Sequence, residues 1–324
     1  MRKTVNEVKI IGRLYSAELK EATVQNTASS VYGKEYINGT INIATDEDCM
    51  NIVPITYTFV TPTTKNGKPN PTYNNLKKIM SDESVKTVSK DGKEVAAIVE
   101  ASKAAIAIDD RYVVAEQTYK TYMSSNGGFV SFRNKSDLPA QERDRNIFDT
   151  DIVITTFTRV PEDSEKGTPE YGIIHGAIFN FNGSILPADF KVIDSGGIDY
   201  FEGLGASNSN PVFTKIHGMV INNRQVTQKE EKTAFGAPII TTSYKTTRDW
   251  IVTSVIETPY DFGSEEVLTT EELSKKMQDR EIHLAKVKKD AEDYAEKSKD
   301  KNSAGGPVAS PVGAAFVPAG GFKF

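Results

Sequence analysis

The sequence predicts a mostly β chain: two small Greek-key barrels in tandem, then a C-terminal helix and a flexible tail. Three observations predict it. Short runs with alternating apolar residues, separated by turn residues, recur as far as residue 257. A set of short motifs occurs twice in the same order. Beyond residue 262 the composition changes, first to a dense mixture of charges and then to Gly, Ala, Pro and Val.

The elements follow in order. Val8-Lys9-Ile10-Ile11-Gly12-Arg13-Leu14 opens as a strand, and residues 37–45 and 52–60 continue the pattern. In the third run Val53, Ile55, Tyr57 and Phe59 share one face, which makes both rings core residues. Phe179 and Phe181 read the same way. A loop rich in Pro, Gly, Asn and Lys precedes a short helix over 74–80, and residues 101–114 return to strand. Residues 117–123 and 129–133 flank Ser124-Ser125-Asn126-Gly127-Gly128, which reads as a hairpin with a five-residue loop. Strands are then expected over 151–160, 171–181, 185–193, 211–221, 239–245 and 250–257, with Asn182-Gly183 as a hairpin turn.

The repeat rests on four matches. Ile37-Asn38-Gly39-Thr40-Ile41 resembles Ile174-His175-Gly176-Ala177-Ile178, and Val53-Pro54-Ile55 resembles Leu186-Pro187-Ala188. Residues 107–113 resemble 220–226, which aligns Arg111 with Arg224 as a shared binding position or a shared salt bridge. Residues 151–155 resemble 249–253. The segment 147–160 fits the close of the first unit or the start of the second. The expected boundaries are 1–146 and 147–262 for the two barrels, 263–301 for the helix and 302–324 for the tail. Thr269-Thr270-Glu271-Glu272 is a helix start, a hydroxyl cap followed by first-turn acids. Residues 271–301 hold nine acidic and nine basic side chains around a thin apolar stripe, suited to docking or to a protein partner. Residues 302–324 have too little large apolar surface to fold alone.

Composition narrows the chemistry. Of 324 residues, 38% are hydrophobic and 26% charged, enough for packed cores. No run approaches the roughly 18 apolar residues of a membrane span, and the first residues lack a signal-peptide core. A soluble, cytoplasmic protein with no membrane contact is expected. Cys49 is alone, so internal disulfides and multi-cysteine metal sites are excluded, and it reads as an inert thiol. The three histidines are scattered, so no metal is expected. Phosphate-binding, nucleophile-elbow and zinc-protease motifs are absent. A binding module without cofactor fits better than an enzyme. The net charge of −5 excludes a globally basic binder but not a local basic groove.

The order strand, strand, strand, short helix, further strands is that of an OB-fold barrel. Such barrels grip single-stranded nucleic acid with cations along the phosphates and rings stacked on bases. Residues 65–93 carry seven lysines against three acids, among them Lys65, Lys68, Lys77, Lys78 and Lys86, with Tyr73 inside the run. Arg111-Tyr112, Tyr119-Lys120-Thr121-Tyr122 and Phe132-Arg133 interleave rings with cations, although Tyr119 and Tyr122 must point to opposite faces of a strand. Arg224, Phe235, Tyr244 and Lys245 do so in the second unit, where Glu230 and Glu231 dilute the charge.

The opening strand through Leu14, followed by Glu18-Leu19, resembles the first strand of bacterial-type single-stranded DNA-binding proteins, and Ile41-Asn42-Ile43-Ala44-Thr45 resembles their second. The likeness covers roughly 60 residues. It implies an OB-fold-like protein that coats single-stranded DNA in replication, recombination or repair, here of a bacteriophage, so that the compartment would be the host cytoplasm; family members typically carry one such domain, and the tandem pair is read from the repeat. It places Arg13 on a binding strand. It also implies a flexible tail ending in phenylalanine that recruits replication or recombination proteins. Phe324 fits that pattern, but Lys323 stands where the family tip is acidic. The alternative from another class is a β-rich structural or assembly protein of a virion.

Overall fold

The computed structural model describes residues 4–165, 167–231, 235, 239–261, 263 and 268–302, with backbone alone for 225–231, 239–245 and 297–302. Within them eleven strands form one hydrogen-bonded sheet that closes on itself twice. The first ring uses β1 (Asn6–Thr23), β2 (Glu35–Ala44), β3 (Ile52–Val60), β4 (Ile98–Val113) and β5 (Thr118–Asn126). Its pairing runs β1–β2–β3–β5–β4 and back to β1, parallel only at β3–β5. Helices α1 (Pro71–Ser81) and α2 (Val88–Asp91) lie between β3 and β4. Strand β6 (Phe129–Arg133) lines β4.

The second ring repeats this plan. Strands β7 (Asn146–Val160), β8 (Tyr171–Phe179), β9 (Ile185–Val192), β10 (Val212–Glu231) and β11 (Ile239–Val255) pair as β7–β8–β9–β11–β10 and back to β7. Only β9–β11 is parallel, and α3 (Ser195–Gly203) occupies the place of α1. These are tandem OB-like Greek-key barrels. Helix α4 (Thr270–Asn302) follows.

Local chemistry sets the helix starts. The Asn70 side chain accepts from the Thr72 N–H at 3.1 Å, ahead of Pro71 in the first turn. Asp194 caps α3 through the Gly197 N–H at 2.9 Å. Thr269 and Glu272 exchange a reciprocal pair of bonds, the hydroxyl accepting at 3.1 Å and the carboxylate at 3.2 Å, so α4 begins on a capping box.

Strand β7 resolves the ambiguous segment: it opens the second ring and also pairs antiparallel with β1, Asn6–Ile10 against Asn146–Thr150. One apolar cluster consequently runs from Leu14, Ile41 and Ile55 to Phe148, Phe190 and Val252. A smaller one joins Val153, Phe179, Phe213 and Leu268 and takes in Leu273 of α4.

Two expectations need correction. Three of the four repeat matches fall on topologically equivalent strands, but residues 151–155 lie on β7, the counterpart of β1, whereas 249–253 lie on β11, the counterpart of β5. Both are apolar sheet strands, and similar burial produced similar sequence. Second, residues 124–128 are no hairpin loop. Asn126 faces Ala105 and Phe129 faces Ser102, so β5 and β6 continue along β4 in one register. Gly127 and Gly128 only kink this line, at φ 71° and 83°. The kink lets the Gly127 N–H donate to the Thr56 carbonyl at 2.8 Å, tying β5 to β3. The reversal lies between β4 and β5, where Gln117 takes φ 51°.

Candidate nucleic-acid interface

The outer face of the first barrel is built by strand parity. In β3 the side chains of Val53, Ile55 and Tyr57 point inward and are buried. The register then slips: Gly39 faces Tyr57, but Ile37 faces Val60. The extra residue is a β-bulge, and it reverses the alternation beyond Tyr57. Phe59, read from the sequence as core, is therefore 43% exposed. Its ring packs on Tyr36 of β2 with centroids 4.7 Å apart. The outer surface between carries Thr40 and Thr56, 3.4 Å apart, and Asn42, whose amide donates to Ser16 at 3.0 Å. Lys65 and Lys68 are exposed on the loop that leaves β3 just beyond Phe59.

The same outer face continues onto β5 and β4. Thr56 pairs with Asn126, so the even-numbered residues of β5 share its side. That places Lys120, Tyr122 and, across the ladder, Arg111 on the outer face. The Arg111 guanidinium lies 5.6 Å from the Tyr122 ring centroid and pairs with Asp109 at 2.6 Å. Lys120 pairs with Glu116 at 2.8 Å. These pairs are exposed, so solvent screening leaves them weak and exchangeable.

Tyr112 and Tyr119 belong to the opposite face, with rings 5.0 Å apart, and that face is covered by α4. The Tyr119 hydroxyl donates to the Leu284 carbonyl at 3.2 Å, and Lys288 lies 5.2 Å over Tyr112. Asp110, its side chain 2% exposed, holds Arg280 and accepts from Thr121 at 3.0 Å. The helix thus props the β4–β5 hairpin from beneath and leaves its outer face open. These two rings support the hairpin from the face opposite Tyr122, and Tyr119 stays 39% exposed there.

Two expected contacts, Arg13 and Tyr73, are buried. Arg13 is 4% exposed. Its Nε donates to the Lys93 carbonyl at 3.1 Å and its Nη2 to Glu47 at 2.8 Å. Arg145 grips the other oxygen of Glu47 at 2.9 Å. The two arginines clip the β2–β3 turn to the body, and their hydrogen bonds hold the Glu47 carboxyl down at about 2. Tyr73, on the buried face of α1, is 5% exposed, and its hydroxyl donates to Glu21 at 3.0 Å. The lysine run does not gather on the outer face. Lys77 pairs with Glu21 at 2.9 Å, Lys78 lies 5.0 Å over Phe132 and Lys86 is 3.7 Å from Asp91. Lys77 and Lys78 point apart on α1, which packs on β6, β1 and β2, and Lys86 lies between α1 and α2. Arg133 is held by Glu100 at 3.2 Å. Cys49 is buried, and burial pushes its thiol up.

The second barrel presents different chemistry. Arg159 is clamped by Glu170 at 2.7 Å, Asp199 at 3.1 Å and Glu202 at 2.7 Å, and is held well above its usual range by Glu170 and Glu202. His175 joins Asp189 at 2.8 Å to Thr158 at 3.1 Å. This acid-rich surface is unsuited to phosphates. Its β10–β11 hairpin instead forms a long arm with Phe235, 98% exposed, at the tip region. Phe181 is likewise exposed beyond the end of β8, whereas Phe179 is core. The side chains of Tyr244 and Lys245 lie outside the described residues. So do 303–324, the expected tail; Asn302 instead ends α4.

Among the described residues no group of three or more His, Cys, Asp or Glu could hold a metal, and no helix is long and apolar enough to cross a membrane. Of the outer-face residues, Tyr36 and Phe59 were missed by sequence reasoning. Only the bulge exposes Phe59, and nothing in the alternation of β3 signals it.

No curated protein matches the chain. Solved structures similar to it include a deletion mutant of the single-stranded DNA binding protein from Thermus aquaticus and the wild-type form of that protein. The first has 10% identity and a TM-score of 0.43, covering 82% of this chain and 100% of that one. The second has 6% identity and a TM-score of 0.39, covering 79% and 94%. The family model described as YorF matches residues 4–290, both barrels and most of α4, and the chain therefore belongs to the YorF family.

Proposed function

We propose that this protein binds single-stranded DNA without catalysis, coating it during replication, recombination or repair of a bacteriophage genome. The observation that carries this reading is the collection of rings and cations on one outer face of the first barrel: half-buried Tyr36 with exposed Phe59, and exposed Arg111 with Tyr122. That face, with the β4–β5 hairpin at its side, is where OB barrels take oligonucleotides. Ring stacking contributes about 1–3 kcal/mol per base and tolerates any sequence. The acidic body limits attraction of polyanions to this local patch. Protein partners of replication or recombination would engage α4 or the tail; Met277 and Ile282 are exposed on the helix.

A fluorescence titration with a dT oligonucleotide tests the reading. Saturable micromolar binding is expected, weakening with salt at a log–log slope of about −0.7 per phosphate contact. Single strands should compete and duplexes should not. Absence of binding at low salt and micromolar protein would defeat it.

A further inference from the structure

Between Ile52 and Phe59 the outer face of the first barrel carries rings, hydroxyls and amides, and Lys65 and Lys68 lie beyond its Phe59 end. Register shows where cations enter. Asn51, just before β3, bridges antiparallel to Asn223 of β10. The Arg224 N–H donates to the Met50 carbonyl at 2.9 Å, the Asn222 N–H donates to the Asn51 side chain at 2.6 Å, and the Asn222 amide donates to the Ile52 carbonyl. The base of the second barrel's arm is therefore laid beside the first residues of β3.

Opposed residues of an antiparallel pair share a face. Asn51 has the parity of inward Val53 and Ile55, so Asn223 points inward with it. Asn222 and Arg224 then fall on the outer side, with Ile52, Pro54 and Thr56. Arg248 stands opposite Asn222, is exposed, and donates its Nε to the Asn222 side chain at 3.1 Å. Seven residue steps, about 24 Å, separate Ile52 from Phe59 along β3. The arm runs on for another 30 Å or so, from the Asn222–Arg248 pair to Glu231–Ile239.

We propose that the single-strand site is one continuous surface made by both barrels: the Tyr36–Phe59 rings and the β2–β3 face of the first, joined through residues 50–52 to the Arg224 and Arg248 cations at the base of the second barrel's arm. This rests on the single-stranded DNA reading above. The second barrel serves by lending its arm, and its own outer face, locked by carboxylates, stays out of the path.

The test uses the full chain with dT strands of about 4 and about 16 nucleotides, the span of OB site sizes. Phe59→Ala and Arg248→Ala are both surface changes. One long strand per chain is expected, weakened about tenfold by Phe59→Ala, with Arg248→Ala reducing the salt slope by about 0.7. The short strand should feel Phe59→Ala alone. Two long strands per chain, each sensitive to one substitution, would overturn continuity, as would an unchanged salt slope in Arg248→Ala. A parent that binds no dT strand defeats the underlying reading instead.

Discussion

At the scale of single residues, Glu47 shows how a surface turn is fixed by buried cations. Arg13 and Arg145 would be costly to bury unpaired, and Glu47 accepts from both. Its folded-state pKa falls from 4.5 to about 2. A depressed carboxylate stabilises the fold above its unfolded pKa, and that contribution disappears as pH falls through the folded value. The stability of the parent should therefore drop between about pH 4.5 and pH 2. Glu47→Gln should be less stable than the parent at neutral pH, with the gap closing across that window. Denaturant midpoints measured against pH check this; a gap independent of pH would show that shape, not charge, holds the turn. Phe59 illustrates the opposite case, a ring placed outside by one bulged residue.

At the scale of elements, the kink between β5 and β6 carries a sharp requirement. A Cβ on Gly128 would lie 2.5 Å from the Ala104 nitrogen and the Ser102 oxygen, whereas one on Gly127 would meet open space. Gly128→Ala should cost about 3 kcal/mol or more, and Gly127→Ala only about 1 kcal/mol for its positive φ. Urea midpoints of the two variants decide it, and equal losses would be inconsistent with the close approach. Helix α4 depends on the Arg280–Asp110 pair. Removing one partner of a buried pair leaves the other charge unsatisfied, at about 3–5 kcal/mol. Arg280→Ala should release α4 from the hairpin, so that trypsin cuts at Lys286, Lys288 and Lys289 well before the barrels unfold. Parent-like cleavage would mean that the other contacts of α4, from Leu273 to Tyr119 and Lys288, suffice as anchors.

At the scale of the whole molecule, the β1–β7 ladder and the shared apolar cluster join the barrels. Calorimetry should show one cooperative transition; two separated transitions would show that the ladder does not couple them. The sequence by itself determined the strand content, the order of elements that makes each barrel, most of the repeat and the capped start of α4. Those features are written in alternation, turn residues and caps, which act over a few neighbours. Only the tertiary structure decided which basic and aromatic residues face outward together. Arg13 and Tyr73 look like ligands in the chain yet lie buried, because the fold needed their hydrogen bonds inside. Phe59 looks like core yet is exposed, because a bulge is a mismatch between two strands and neither strand alone records it. The meeting of Met50 and Ile52 with Asn222 and Arg224 joins residues some 170 positions apart. Such contacts arise when closed sheets pack, and local sequence carries no trace of them.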